Sequence, residues 1–216
     1  MTALSNIRHH PKDMTLAAFA AGQLDEARSV VIAAHLKLCA ECRVAVADFE
    51  VVGGACLETV EPASMSDSAL DSFWLRAGKQ ESAPAPASIL AANDFALDAA
   101  HPLAKYLKDG VNAIEWRQVA PGLSQFVIPA GGYRPGVLRL LKISPGVKIP
   151  KHTHGDEELT LILRGSYTDE VGDFRRGDLA DLDEDVLHAP TAPGAYRSLC
   201  PLANKKTLRF RSIVGR

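Results

Sequence analysis

Two groups of residues have types and spacings that point to metal chemistry. The stretch His35-Leu-Lys-Leu-Cys39-Ala-Glu-Cys42 has the form H-x3-C-x2-C. On one continuous helix, positions i, i+4 and i+7 share a face. If the helix turns at Cys39, the two sulfurs still close on one ion. Imidazole and thiolate are ligands that zinc takes, and a closed structural site wants four of them. Cys56 lies too far along the chain to be the first choice, which leaves His9 or His10, reaching in from an N-terminal arm. A thiol redox pair is the competing use of C-x2-C, but it belongs beside a βαβ pattern and none is visible here. The second group runs from Gly146 to Gly165 and reads G-x5-H-x-H-x3-E-x6-G. Side chains alternate along a strand, so His152 and His154 point the same way and Glu158 returns from the next turn or strand. Two imidazoles and a carboxylate suit a divalent transition metal. A further histidine, His188, stands downstream in Asp185-Val-Leu-His188-Ala-Pro190. Such a donor set accepts Zn2+, iron, manganese or nickel without choosing among them.

The elements that must position these residues differ between the two ends of the chain. Residues 1–80 read as helices. Asp13 is a candidate N-cap for a first helix carrying Leu16, Phe19 and Ala20, which Gly22 would end. A second begins near Asp25, with Val30, Val31, Ala34 and Leu38 at helical spacing. A third carries Val44, Ala47 and Val51, and Gly53-Gly54 should weaken or end it. A fourth spans about 68–76, with Leu70, Phe73 and Trp74 on its apolar side. The run Ala83-Pro-Ala-Pro-Ala-Ser88 lies in a stiff spacer, so residues 81–99 are expected to be a linker. From 100 to 216 the period shortens. Val137–Ile143, Leu159–Leu163, Tyr196–Cys200 and Thr207–Val214 read as strands. Turn signals such as Pro121-Gly122, Pro145-Gly146 and Pro193-Gly194 punctuate them. Many short strands so spaced predict a sandwich or barrel. The expected fold is therefore α+β: a small zinc-binding helical domain followed by a β-barrel.

At this point the residues resemble known families. The second group matches the first cupin motif at every fixed position, a resemblance that implies a distant histidine, His188, as the fourth ligand, although Arg175 and Ala192 depart from the usual second motif around it. The helical N-terminal stretch with H-x3-C-x2-C and an upstream histidine resembles the zinc-binding anti-sigma factors. The opening Ile7-Arg-His-His10 and the segment Ala18-Phe-Ala-Ala-Gly22 are similar to the ChrR-type branch, which carries a cupin after its zinc domain. That resemblance implies His10, rather than His9, as the fourth zinc ligand. It implies an extracytoplasmic-function-type (ECF-type) sigma factor as partner, bound by the helical domain. It also implies release under singlet oxygen or organic peroxide that depends on the cupin, and no catalysis. The alternative is a dioxygenase-like cupin enzyme with a helical accessory domain. A small ligand in the barrel would be compatible with either.

Composition limits the other classes. Of 216 residues, 47% are apolar and 23% charged, ordinary for a globular chain. A formal net charge of -2 supplies no global basic field, so direct nucleic-acid binding is not expected. No apolar run approaches the roughly 20 residues that span a bilayer, and the N-terminus does not read as a signal peptide. A cytoplasmic location is the expectation. Cys56 and Cys200 are expected to be small buried hydrophobes. Trp74 and Trp116 are expected to be core or interface anchors, and the acids of 181–185 a solvated loop.

Overall fold

Val30, Val31, Ile32, Ala34 and His35 are all buried, so the helix that carries them is covered on more than one side. The computed structural model, which describes residues 7–78, 101–107, 113–131, 136–194, 196–204 and 209–210, shows what covers it. The helix is α2 (Glu26–Leu38), and it packs both on α1 (Asp13–Ala20) and α3 (Ala40–Glu58) and on a β-sheet. A fourth helix, α4 (Ala69–Ala77), buries none of its residues. The linker expected at 81–99 lies outside the described residues.

The sheet is antiparallel and six-stranded. Its order is β1 (Arg117–Ala120), β2 (Leu123–Ile128), β3 (Val137–Ile143), β9 (Ser198–Asn204), β5 (Glu158–Leu161) and β8 (Leu179–Leu182). Two short pairs complete the cupin fold: β4 (His152–Thr153) with β10 (Arg209–Phe210), and β6 (Ser166–Thr168) with β7 (Asp173–Arg175). The strand expected over 207–214 is described only as β10. β3 pairs with β9 in the register Leu138↔Ala203 and Leu140↔Pro201, and β5 joins β9 through Thr160↔Leu202.

Period-two alternation gives the sheet two different faces. Leu138, Leu140, Leu159, Leu161 and Ala203 face the helices and share one core with Val30, Val31 and Ala34. Arg139, Leu141, Glu158, Thr160, Cys200 and Leu202 face the other way and line a cavity. β5 and β9 are buried on both faces, as the unbroken apolar reading of Leu159–Leu163 suggests for β5, whereas β1 at the sheet edge is mostly exposed.

Several local expectations change. Asp13 is the first helical residue rather than the cap, and the N-cap is Lys12, whose side chain makes no capping bond. The strand half supplies the missing acceptor. Asp181 Oδ2 receives the Lys12 N–H at 2.9 Å and the Thr15 hydroxyl at 2.6 Å, a negative charge at a helix N-terminus. Asp183 pairs with Lys12 Nζ, so two acids of the 181–185 cluster dock a helix instead of facing only water. Asp25 caps α2, its carboxylate taking Arg28 N–H at 2.9 Å. α3 continues through Gly53-Gly54 to Glu58, at a cost of about 1 kcal/mol per glycine relative to alanine. Cys56, on that extension, is exposed rather than buried, while Cys200 is buried.

Two glycines of the long motif separate turn strain from crowding. Gly146 and Gly165 have φ of 74° and 78°. Nothing lies near a Cβ placed on Gly146, whereas one on Gly165 would stand 2.8 Å from the Ser198 Cα. Gly165→Ala should therefore cost about 2–4 kcal/mol and Gly146→Ala about 1–2 kcal/mol in denaturant unfolding. Equal costs would mean that only backbone conformation matters at these turns.

Candidate metal centres

The first centre forms where α2 meets α3. Cys39 ends α2 and starts α3, and its Sγ accepts the Cys42 N–H at 3.4 Å. The chain therefore turns at Cys39, and both sulfurs come to the same side as His35. His35 Nε2 lies 3.3 Å from Cys42 Sγ, and His10 Nδ1 lies 3.3 Å from Cys42 Sγ and 3.4 Å from Cys39 Sγ. The four ligand atoms all fall within 4.8 Å of one another. In a tetrahedral zinc site, bonds of about 2.1–2.3 Å put neighbouring ligand atoms roughly 3.4–3.8 Å apart, so the spacing fits such an ion. His9 takes no part, because its ring lies against Phe174, with centroids 4.2 Å apart.

The surroundings orient this group. His35 Nδ1 donates to the Gly177 carbonyl at 3.0 Å, which leaves Nε2 free to face the sulfurs. Burial lowers the pKa of His35 to about 4, so the ring is neutral near pH 7. Burial, then the neighbouring Cys39, raises the Cys42 thiol to about 12. Gly177 belongs to the turn before β8, so a ligand on a helix is held by the strand half of the chain. Asp178 extends the same contact, its buried carboxylate accepting the N–H groups of Arg8, His9 and Arg175 at 2.7, 3.2 and 2.8 Å.

The second centre lies on the cavity side of the sheet. His152 and His188 exchange backbone hydrogen bonds, with His152 N–H to His188 carbonyl at 3.0 Å and the reverse at 3.2 Å. The imidazoles of His152, His154 and His188 form a buried trio. His188 Nδ1 bonds Asp169 Oδ2 at 2.7 Å and His152 Nδ1 bonds the Pro150 carbonyl at 2.9 Å, contacts that orient both rings, and His188 Nε2 lies 3.0 Å from His154 Nε2. Burial lowers the pKa of His152 below its ordinary value. Glu158 stands at the edge of the trio. Its Oε2 is 2.9 Å from His154 Nδ1, yet that nitrogen has no aligned hydrogen bond. Glu158 therefore meets the ring nitrogen of His154 opposite the one that faces His188, and the group whose ligand atoms lie within 4.8 Å of one another is the three imidazoles. Thr160 and Asn204 hold the same carboxylate at 3.1 and 3.4 Å.

Of the eight side chains that the sequence offers as ligands, the structure gathers His10, His35, Cys39 and Cys42 in one group and His152, His154 and His188 in another, with Glu158 beside His154 and outside that group. Asp169, Asp178 and the Gly177 carbonyl carry no spacing signal, since each serves a partner distant in sequence. Glu157 points away from Glu158, as alternation predicts, and pairs with Arg28 on α2. Arg28 also pairs with Asp25 at 2.7 Å.

Comparison with known proteins agrees with this arrangement. The ChrR cupin-like domain family matches residues 109–203. The anti-sigma-E factor ChrR of Cereibacter sphaeroides is 37% identical over 208 residues, covering 96% of this chain and 94% of that protein. The chain belongs to the ChrR anti-sigma factor family. A crystal structure of Rhodobacter sphaeroides SigE in complex with the anti-sigma ChrR also matches this chain. It aligns with a TM-score of 0.76 at 35% identity, over 92% of this chain and 99% of that one. A member of the ChrR family is a regulator rather than an enzyme, so the dioxygenase alternative falls away. Among the described residues, no helix is long and apolar enough to cross a membrane.

Proposed function

We propose that this chain sequesters an ECF-type sigma factor through its helical N-terminal region. Release follows oxidative stress, by singlet oxygen or organic peroxide, and depends on the cupin. The observation that carries this reading is an uncovered apolar surface. Val51, Val52 and Leu57 on α3, and Leu70, Phe73, Trp74 and Leu75 on α4, are all exposed. Large apolar side chains left bare along two helices are what a protein partner would cover. The relatives named for holding a sigma factor supply its kind. Residues 1–80 would be the binding domain, 81–99 the linker and 100–216 the cupin, all in the cytoplasm.

In this reading His10, His35, Cys39 and Cys42 hold Zn2+ and staple α2 to α3. His152, His154, Glu158 and His188 hold Zn2+, or iron, manganese or nickel, in the cupin. α2 is the element through which the cupin reaches the partner. It touches β5 through Arg28–Glu157, one residue from Glu158, and it presents His35 to the Gly177 carbonyl. A change at the cupin centre that moves β5 or the turn before β8 therefore bears on the helix that carries a zinc ligand.

The test is co-purification of the full chain with the ECF-type sigma factor encoded nearest to it, with and without a photosensitiser and light. A stoichiometric complex that light disperses supports the reading. Absence of a complex with a folded, metal-loaded chain overturns it. A separate measurement addresses the first centre. The Cys42 thiol is protonated at pH 7 without a cation, so Zn2+ must displace its proton to take the sulfur. Adding Zn2+ to the stripped protein in dilute buffer should release at least about one proton per ion at this centre. Affinity should fall as pH falls, because protons compete for the same sulfur. Uptake without proton release would exclude Cys42 as a thiolate ligand.

A further inference from the structure

The cavity beneath the sheet has a volume of about 410 Å³, within the range of small-molecule sites. Its walls are mainly apolar, built by Leu123, Leu141, Ile143, Ile149 and Leu202, and the histidine trio reaches it through His152 and His188. Arg117, Gln125, Arg139, Glu158 and Thr160 are polar side chains on the same lining. One polar group on the lining is unspent. The side chain of Tyr167 is 3% exposed, and its hydroxyl has no hydrogen-bond partner among the described residues. Buried hydroxyls without partners are rare and costly. This one is not free to swing away. The ring stacks on Phe174 with centroids 4.7 Å apart, and the two residues are paired in register across β6 and β7. Burial raises its pKa well above the ordinary tyrosine value, so the phenol stays protonated and is a donor.

We propose that this cavity binds an aliphatic organic molecule of medium length, whose oxygen-bearing end accepts a hydrogen bond from the Tyr167 hydroxyl. The apolar walls take the chain and the buried Tyr167 hydroxyl takes the oxygen. The placement also brings the oxygen-bearing end into the cavity that the histidines share. Arg139 lines the same space, its guanidinium donating to Asn204 Oδ1 at 2.7 Å, so an anionic end has a cation within the cavity. This site stands apart from the sigma-factor reading, and its absence would leave that reading untouched.

The test uses the full chain as purified and titrates octanoate, octanol and glucose, followed by calorimetry and ligand-detected NMR. Saturable binding of octanoate or octanol, and none of glucose, is the expected result. Tighter binding of octanoate would assign the oxygen to a carboxylate, and equal binding to a neutral group. Tyr167→Phe keeps the ring and removes only the hydroxyl. It should weaken binding roughly three- to tenfold, the range for one hydrogen bond, while leaving the ligand-free melting temperature unchanged or higher. Leu141→Trp, at a partly buried position on the wall, should fill the space and abolish binding. Failure of both aliphatic probes to saturate the wild-type chain, or wild-type affinity in Tyr167→Phe, would overturn the proposal.

Discussion

Cys42→Ala should yield a protein that holds one metal ion fewer and no longer retains its sigma factor. The side chain is 2% exposed, and its sulfur is 3.3 Å from a ring nitrogen of both His10 and His35. Removing it leaves three ligands around a position that needs four. A structural zinc site contributes on the order of 10 kcal/mol to folding, so losing one ligand removes a large part of a small helical unit's stability. The damage does not stop at the helices, because Cys39 and Cys42 belong to the same core as Leu159, Leu161 and Ala203 of the sheet. We expect a loss of about 3–5 kcal/mol in thermal or denaturant unfolding. Sigma-factor retention should fall at least about 100-fold, equivalent to about 2.7 kcal/mol. Metal content, unfolding and co-purification would be read on one preparation. Cys56→Ala, at an exposed sulfur outside the cluster, is the control and should change none of them. A Cys42→Ala protein with its full metal content and a tight complex would remove this centre from the proposed function. His35→Ala should do further harm, since it also deletes the bond to the Gly177 carbonyl that ties α2 to the strand half.

Much of this arrangement is legible in the chain because its signals are local. The alternation of Val137–Ile143 marks β3 with both its ends. The spacing H-x3-C-x2-C works because one turn at Cys39 serves as the end of one helix and the start of the next. The cupin motif reads clearly because its glycines are needed by turns and its histidines by one side of a strand. What is not legible lies between the two halves. Asp178 reads as half of a Gly-Asp turn, yet it binds three N–H groups, two of them on the N-terminal arm. Arg28 and Glu157 carry no common pattern, since pairing across such a separation depends on how α2 lies on the sheet. Asp181 differs from its acidic neighbours only through α1, whose first turn it caps. Cys56 departs from the general tendency of cysteine to be buried because it stands on the part of α3 beyond Phe49, the last residue of that helix packed against the core. Among the described residues, nothing outside the helix lies within 4 Å of a Cβ placed on Gly53 or Gly54. That makes this exposed half the stretch of helix that a bound partner would stabilise most.

The joint substitution Phe73→Ala and Trp74→Ala should abolish tight sigma-factor binding and leave the fold intact, the opposite combination from the Cys42 variant. The two rings meet edge to face with centroids 5.0 Å apart, and remain 51% and 62% exposed. Neither is buried by the rest of the chain, so their removal should move stability by no more than about 0.5 kcal/mol, as for ordinary surface positions. At an interface the same rings are different objects. Large aromatics that pass from water into a partner's pocket commonly dominate binding, at about 2 kcal/mol or more each. Together they would contribute about 4 kcal/mol, a roughly 1000-fold change in Kd. Neighbouring anchors are not additive, so each single substitution should cost more than half of that. Tyr196→Ala, another exposed aromatic but on the strand half, should leave binding unchanged. The comparison separates a partner site from general exposure of apolar surface. If the double variant binds as the wild type does, α4 is not the contact. The uncovered valines of α3 would then have to carry the interface alone, with none of the aromatic area that such anchors supply. If it loses binding while keeping both metals and its melting temperature, the apolar face of α4 belongs to the partner rather than to this chain's own core.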